Sequence, residues 1–239
     1  MSNLILTRHG QSVWNAENRF TGWVDVGLSE TGKEEAKKSG ELIKELNIKI
    51  DINYTSYLKR AIETLTIILK TLNLSIKFNT AWELNERHYG SLTGLNKEET
   101  KKKIGEDQFR KYRRSWDVAP PLMPKDSKYL EHFSPLNSGI QKNKIPFTES
   151  LKNTYERVIP FYDLEIKKNL KSGKNILISA HGNSLRALCK YLFKISNTKI
   201  NELEIPTGNP LIINFDNQLN VQKHYYLDKS RAKNIIFNQ

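Results

Sequence analysis

Two apolar runs in this chain end in the same pair of residues. Leu4-Ile-Leu-Thr-Arg-His-Gly and Ile176-Leu-Ile-Ser-Ala-His-Gly-Asn each read as a buried strand that empties into His-Gly. In an open parallel sheet ligands bind beyond the carboxyl ends of the strands, so neighbouring strands would bring His9 and His181 to one crevice. Gly10 and Gly182 allow a tight backbone and close approach of a ligand there. Arg8 stands next to His9. A nearby guanidinium favours the neutral, nucleophilic imidazole and can bind oxyanions, so these residue types suit transfer of a phosphoryl group to and from His9. One Arg-His-Gly triplet would say little; the second strand-His-Gly carries the expectation. Metal ligation is the competing chemistry for paired histidines. No His-x-x-His or HExxH spacing is present, and His88, His132 and His224 fall in unrelated contexts, so no metal is expected. No GxxxxGKS/T loop is present either, which argues against a nucleotide kinase and leaves phosphate to be held by side chains.

The elements that must position these histidines alternate along the chain. A strand over 3–7 is followed by an amphipathic helix from about Ser29, its N-cap, to Leu46. A strand over 51–55, a helix over 57–72 and a short strand over 75–78 come next. After a charged, helix-like stretch over 96–116, the segment 117–147 carries five prolines and little periodicity, as an inserted loop or cap would. The alternation resumes with a helix over 149–170, a strand over 175–179 and a helix over 184–193. Strands over 211–215 and 221–226, joined by the turn Asp216-Asn217-Gln218, close the pattern. Such alternation predicts an α/β fold, a three-layer αβα sandwich on a mostly parallel sheet. We expect one domain over 1–239, with an inserted cap at about 96–147 and a tail at about 228–239.

The 239 residues carry 38 Lys and Arg against 26 Asp and Glu, a formal net charge of +12, which favours anionic partners without naming one. With Cys189 as the single cysteine, neither an intramolecular disulfide nor a thiolate metal cluster is available. The N-terminus lacks the zones of a signal peptide and no apolar run reaches about 18 residues. The expectation is a cytoplasmic protein with no membrane and no nucleic-acid partner. A single sequence leaves a homo-oligomer open.

Longer motifs narrow the expected chemistry. Leu6-Thr-Arg-His-Gly-Gln-Ser-Val-Trp-Asn, Phe20-Thr-Gly-Trp-Val-Asp-Val-Gly-Leu-Ser-Glu-Thr-Gly, Tyr54-Thr-Ser-Tyr-Leu-Lys-Arg-Ala-Ile-Glu-Thr, Glu83-Leu-Asn-Glu-Arg-His-Tyr-Gly-Ser-Leu-Thr-Gly, Arg113-Arg114 and Ser179-Ala-His-Gly-Asn-Ser-Leu-Arg stand in this order. Together they resemble the 2,3-bisphosphoglycerate-dependent phosphoglycerate mutases of the histidine phosphatase superfamily, to about residue 228. The resemblance implies interconversion of 3-phosphoglycerate and 2-phosphoglycerate in glycolysis and gluconeogenesis, with small phosphorylated glycerates as partners. It implies 2,3-bisphosphoglycerate as the phosphoryl donor, His9 as the phosphohistidine, and Arg8, Asn15, Arg60 and His181 around the phosphate. It implies Glu86 as general acid and base, and Arg87, Tyr89, Lys97, Arg113 and Arg114 as substrate contacts. Thr21, Gly22, Gly182 and Asn183 would line the pocket, while the Ser12 hydroxyl is read either as a phosphate contact or as a helix cap. Arg60, at the start of a helix, would turn its fork towards an anion. The segment 124–147 follows the family loosely and brings Lys125, Lys128, Lys142 and Lys144. In the tail, Ser230-Arg-Ala-Lys could serve a lid and Ile235 to Phe237 could equally pack passively. Without the longer motifs, His9 and His181 would fit a phosphatase as well.

Overall fold

The computed structural model describes residues 1–130 and 140–232; His132, Pro135 and Ile235 to Phe237 lie outside it. Among the described residues six strands form one sheet: β1 (Ser2–Arg8), β2 (Ile52–Thr55), β3 (Asn79–Thr80), β4 (Ile176–Ala180), β5 (Leu211–Phe215) and β6 (Val221–Tyr226). Their order across the sheet is β3-β2-β4-β1-β5-β6. The first four are parallel, and β5 and β6 are added antiparallel beyond β1. The two strands that end in His-Gly are thus neighbours, in register from Leu4 opposite Ile176 to Arg8 opposite Ala180.

Side-chain alternation along the strands builds the layers. Leu4, Leu6, Ile176, Ile178 and Ile213 point to one face, where they pack against α6 (Leu151–Phe161) and α8 (Gly182–Leu192). Ile5, Leu177 and Ile212 point to the other, against α2 (Glu30–Glu45) and α3 (Lys59–Thr71). Burial on both faces explains why β1 and β4 read as continuous apolar runs. Beneath His9 the loop after β1 presses on the start of α2. A Cβ at Gly10 would overlap the carbonyl oxygen of Gly32, and one at Gly32 would overlap that of Gln11.

Three expectations are corrected. The short third strand lies at 79–80 rather than 75–78: it pairs through Tyr54 with Asn79 and Thr55 with Thr80, while Lys77 N–H turns back to the Ser75 carbonyl at 2.8 Å. The apolar Ile76 that suggested a strand is half exposed. The charged stretch 96–116 is two helices, α4 (Lys97–Ile104) and α5 (Glu106–Arg114), separated at Gly105 with φ 82° and ψ 157°. The helix expected over 149–170 is α6, a π-helical turn at Tyr162–Ile166 and α7 (Lys167–Lys171). Pro160 inside α6 removes one N–H from the ladder, which accounts for an irregular turn close by. Of the inserted segment, Met123 and Ile140 pack on Trp23 and Val24. These residues therefore lean on the loop between His9 and α2. No helix among the described residues is long and apolar enough to cross a membrane.

Candidate active site

The carboxyl ends of β1 and β4 deliver His9 and His181 with ring centroids 4.9 Å apart, both buried. His9 Nδ1–H donates to the Gly10 carbonyl at 2.6 Å, which fixes the tautomer and leaves the lone pair on Nε2. Arg60 Nε lies 3.3 Å from that Nε2. Burial, then Arg60 and Arg8, hold the His9 pKa well below its ordinary value. The same causes, with His9 added, depress His181. His181 Nε2 shares a 2.7 Å hydrogen bond with the Ser56 hydroxyl, while its buried Nδ1 has no protein partner.

Arg60 sits in the first turn of α3, as expected, but its fork is occupied. Nη1 and Nη2 donate to the carbonyls of Val24 and Gly22 at 3.0 and 2.8 Å, so the guanidinium braces the loop and offers Nε to the site. Arg8 Nη1 holds the Ile205 carbonyl at 2.8 Å and leaves a buried, unpartnered Nε. The Glu86 carboxylate is oriented through Oε1, which accepts from the N–H of Arg87 at 2.8 Å and of Asn183 at 3.1 Å. Asn183 belongs to the N-terminal turn of α8, where the helix dipole favours an anion.

Two chambers that share part of their lining result. The inner one, about 80 Å³, is lined by His9, Asn15, Arg19, Phe20, Thr21, Gly22, Arg60 and Lys97. The outer one, about 340 Å³, is lined by Arg114, Gly182, Asn183, Arg186, Glu204, Ile205, Pro206 and Arg231. Arg8, Glu86, Tyr89 and Arg113 line both and form the neck. Burial, aided by Arg113 and Arg8, lowers Lys97. At Tyr89 burial pushes the hydroxyl up, but Arg87 and Arg113 outweigh it and the net shift is downward.

The structure thus gathers on the walls all but three of the expected residues. His181, packed beside His9, is fully buried and lines neither chamber. Ser12 is fully buried and its hydroxyl caps the short helix α1 (Val13–Ala16) by accepting from Asn15 N–H, so it lines neither chamber. Arg87 also lines neither. It lies beneath Tyr89 and donates to the carbonyls of Tyr112 and Arg113, closing the C-terminal end of α5. Its place is behind the wall because α5 ends in unpaired carbonyls that need a donor. Sequence reasoning missed Arg19, Ser56 and Arg186. Arg186 stands five residues past His181 and within the quoted motif, which was the available signal. There it donates to the Asn183 side chain at 2.9 Å, and burial drives its pKa down to about 9. Arg231, which was read only as part of a lid, lines the outer chamber and donates to Glu35 and the Thr207 carbonyl. Among the described residues no group of three or more His, Cys, Asp or Glu side chains is placed to hold a metal ion.

Paired histidines, guanidiniums and a held carboxylate meet at the carboxyl ends of two parallel strands, and the chain belongs to the histidine phosphatase superfamily (branch 1), whose profile matches residues 4–227. Within that superfamily it is 56% identical over 236 residues to the 2,3-bisphosphoglycerate-dependent phosphoglycerate mutase of Pelagibacter ubique (strain HTCC1062), with 99% of each chain covered. It is 48% identical to the protein of the same name from Lactococcus lactis subsp. cremoris (strain MG1363), over 97% of this chain and 100% of that one. Among solved structures, mycobacterial hydrolase 1 is similar with a TM-score of 0.71 at 18% identity, covering 94% of this chain and 95% of that one. A mycobacterial glucosyl-3-phosphoglycerate phosphatase gives 0.68 at 19%, covering 94% and 96%. At those identities the structural likeness is one of fold.

Proposed function

We propose that this chain interconverts 3-phosphoglycerate and 2-phosphoglycerate through a phosphohistidine at His9. The observation that carries the proposal is the neck, where Arg8, Glu86, Tyr89 and Arg113 line both a small chamber holding the nucleophile and a larger cationic one. The inner chamber suits a phosphoryl group, and the arginines of the outer one suit a carboxylate or second phosphate. The unpartnered Arg8 Nε and His181 Nδ1 fit 2,3-bisphosphoglycerate, which supplies the phosphoryl group that primes His9.

In the first half-reaction the Nε2 lone pair of His9 attacks phosphorus and the ester P–O bond breaks. Glu86 gives a proton to the departing hydroxyl oxygen. The ring then carries positive charge, and the Gly10 carbonyl stabilises it through Nδ1–H. Arg60 Nε, Arg8 and His181 meet the charge spread over the transferring oxygens. In the reverse half-reaction Glu86 takes the proton of the attacking hydroxyl, the P–N bond breaks and Nε2 recovers its lone pair. Roles for Asn15, Thr21, Gly22, Lys97, Arg114, Gly182 and Asn183 as substrate contacts are supported by their places on the walls. The whole chain is read as one domain, with 96–147 as its cap and 228–239 as its tail, working in the cytoplasm without a resident metal.

The test is to supply 3-phosphoglycerate with and without a trace of 2,3-bisphosphoglycerate, in EDTA, and follow 2-phosphoglycerate. Formation that depends on the bisphosphate and survives EDTA is expected, and His9→Ala abolishes it. Free phosphate as the dominant product would replace the mutase with a phosphatase.

A further inference from the structure

The segment that carries Glu86 has little regular structure of its own: one 3-10 turn, Trp82–Leu84, and then irregular chain to Tyr89. A catalytic carboxylate on such a segment has to be held by something else. Behind it, away from both chambers, stands a buried ion pair. Arg157 on α6 meets Glu149, which precedes the cap of the same helix, through Nε to Oε1 at 2.7 Å and Nη2 to Oε2 at 3.0 Å. Their side chains are only 8% and 4% exposed.

Everything else the pair offers goes to the chain around Glu86. Arg157 Nη1 donates to the carbonyls of Glu83 and Asn85, and Nη2 donates to that of Glu86 at 3.0 Å. Glu149 Oε2 accepts from His88 N–H at 2.8 Å, and Glu149 N–H donates to the His88 carbonyl at 2.9 Å. Trp23 Nε1 adds a second donor, at 2.6 Å, to the Glu86 carbonyl. Residues 83–88 are therefore pinned at four points by one neutral pair. A buried ion pair is a poor source of stability, because desolvation offsets its attraction. Apolar replacements would pack the space but leave these carbonyls without donors.

We infer that Arg157 and Glu149 are positioning residues for proton transfer at Glu86. They fix the main chain so that Glu86 Oε1 stays on the N–H groups of Arg87 and Asn183 and the carboxylate keeps its place at the neck. Glu149 also neutralises Arg157, so no bare cation stands behind the carboxylate. The inference rests on Glu86 being the proton carrier.

Two phosphoryl donors separate positioning from folding, in single-turnover phosphorylation of His9. With 2,3-bisphosphoglycerate the leaving alkoxide needs a proton; with p-nitrophenyl phosphate the leaving phenolate does not. Glu86→Gln sets the reference, a large loss with the first donor and a small one with the second. Arg157→Lys keeps the charge without the fork, and Glu149→Gln keeps the shape. Each should lose about 10- to 100-fold with 2,3-bisphosphoglycerate and stay within about threefold with p-nitrophenyl phosphate. Equal losses with both donors, or no loss, overturn the inference even where Glu86→Gln discriminates. If Glu86→Gln strikes both donors alike, the role given to Glu86 fails and the inference with it. Arg157→Ala serves as a third variant where it folds, and 2-phosphoglycerate formation by the unaltered chain tests the mutase separately.

Discussion

His9 is a nucleophile prepared by its neighbours: one nitrogen is tied to the Gly10 carbonyl, and burial and two guanidiniums keep the ring neutral. Because the pKa lies well below the ordinary value of about 6.5, protonation of His9 should not slow its phosphorylation between pH 7.5 and 6. Rapid-quench rates with p-nitrophenyl phosphate, a donor that needs no general acid, measure this directly; a halving of the rate by pH 6 would contradict it. The type of chemistry was legible because two strands each end in His-Gly, a coincidence that local sequence displays. Glu86 and Arg60 became legible only through long motifs, since a lone glutamate or a helix arginine is ordinarily a surface group. Nothing local separated Arg87 from Arg113. One faces inward to close a helix end and the other faces the neck, and that difference is made by the path of α5.

At the scale of elements, α4 and α5 carry Lys97 at one end and Arg113 and Arg114 at the other, and the angle between the helices is set at Gly105. Its φ of 82° with ψ of 157° is a conformation essentially reserved for glycine, yet an added Cβ would touch nothing within 4 Å. Gly105→Ala should therefore cost about 1–3 kcal/mol through backbone strain alone, read as a lower denaturation midpoint, and raise the KM for phosphoglycerate. An unchanged midpoint would show that the two helices can rejoin without penalty. β1, β4, β5 and β6 were legible because each is an unmixed apolar or alternating run bounded by turn residues. β3 was not, since pairing with β2 rather than apolar content decides which two residues form it. The breaks at Gly105 and after Pro160 were visible as residue types, but charge patterning ran straight through both.

For the whole molecule, three buried histidines set the response to acid. His9 and His181 are held well below their ordinary pKa, and burial brings His88 down to about 4. In the unfolded chain each takes a proton near pH 6.5, so below that the unfolded state binds more protons and stability falls as the pH is lowered. The loss should begin near pH 6.5 and continue to about pH 4, at no more than about 1.4 kcal/mol per pH unit for each histidine. Thermal unfolding between pH 7 and 4.5 should show a slope steeper than one proton allows, reduced in His9→Ala. A flat profile would mean that these rings are charged in the fold. The sheet that brings two of them together also restricts how the sequence can drift. Where the loop after β1 crosses the start of α2 there is no room for a methyl group on either side: a Cβ at Gly10 would lie 2.1 Å from the Gly32 carbonyl oxygen, and one at Gly32 would lie 2.0 Å from that of Gln11. Both positions are thus closed to any larger side chain, and a change at either pushes the backbone next to His9 away from α2, so the place of the nucleophile is inherited through two residues that have no side chain at all.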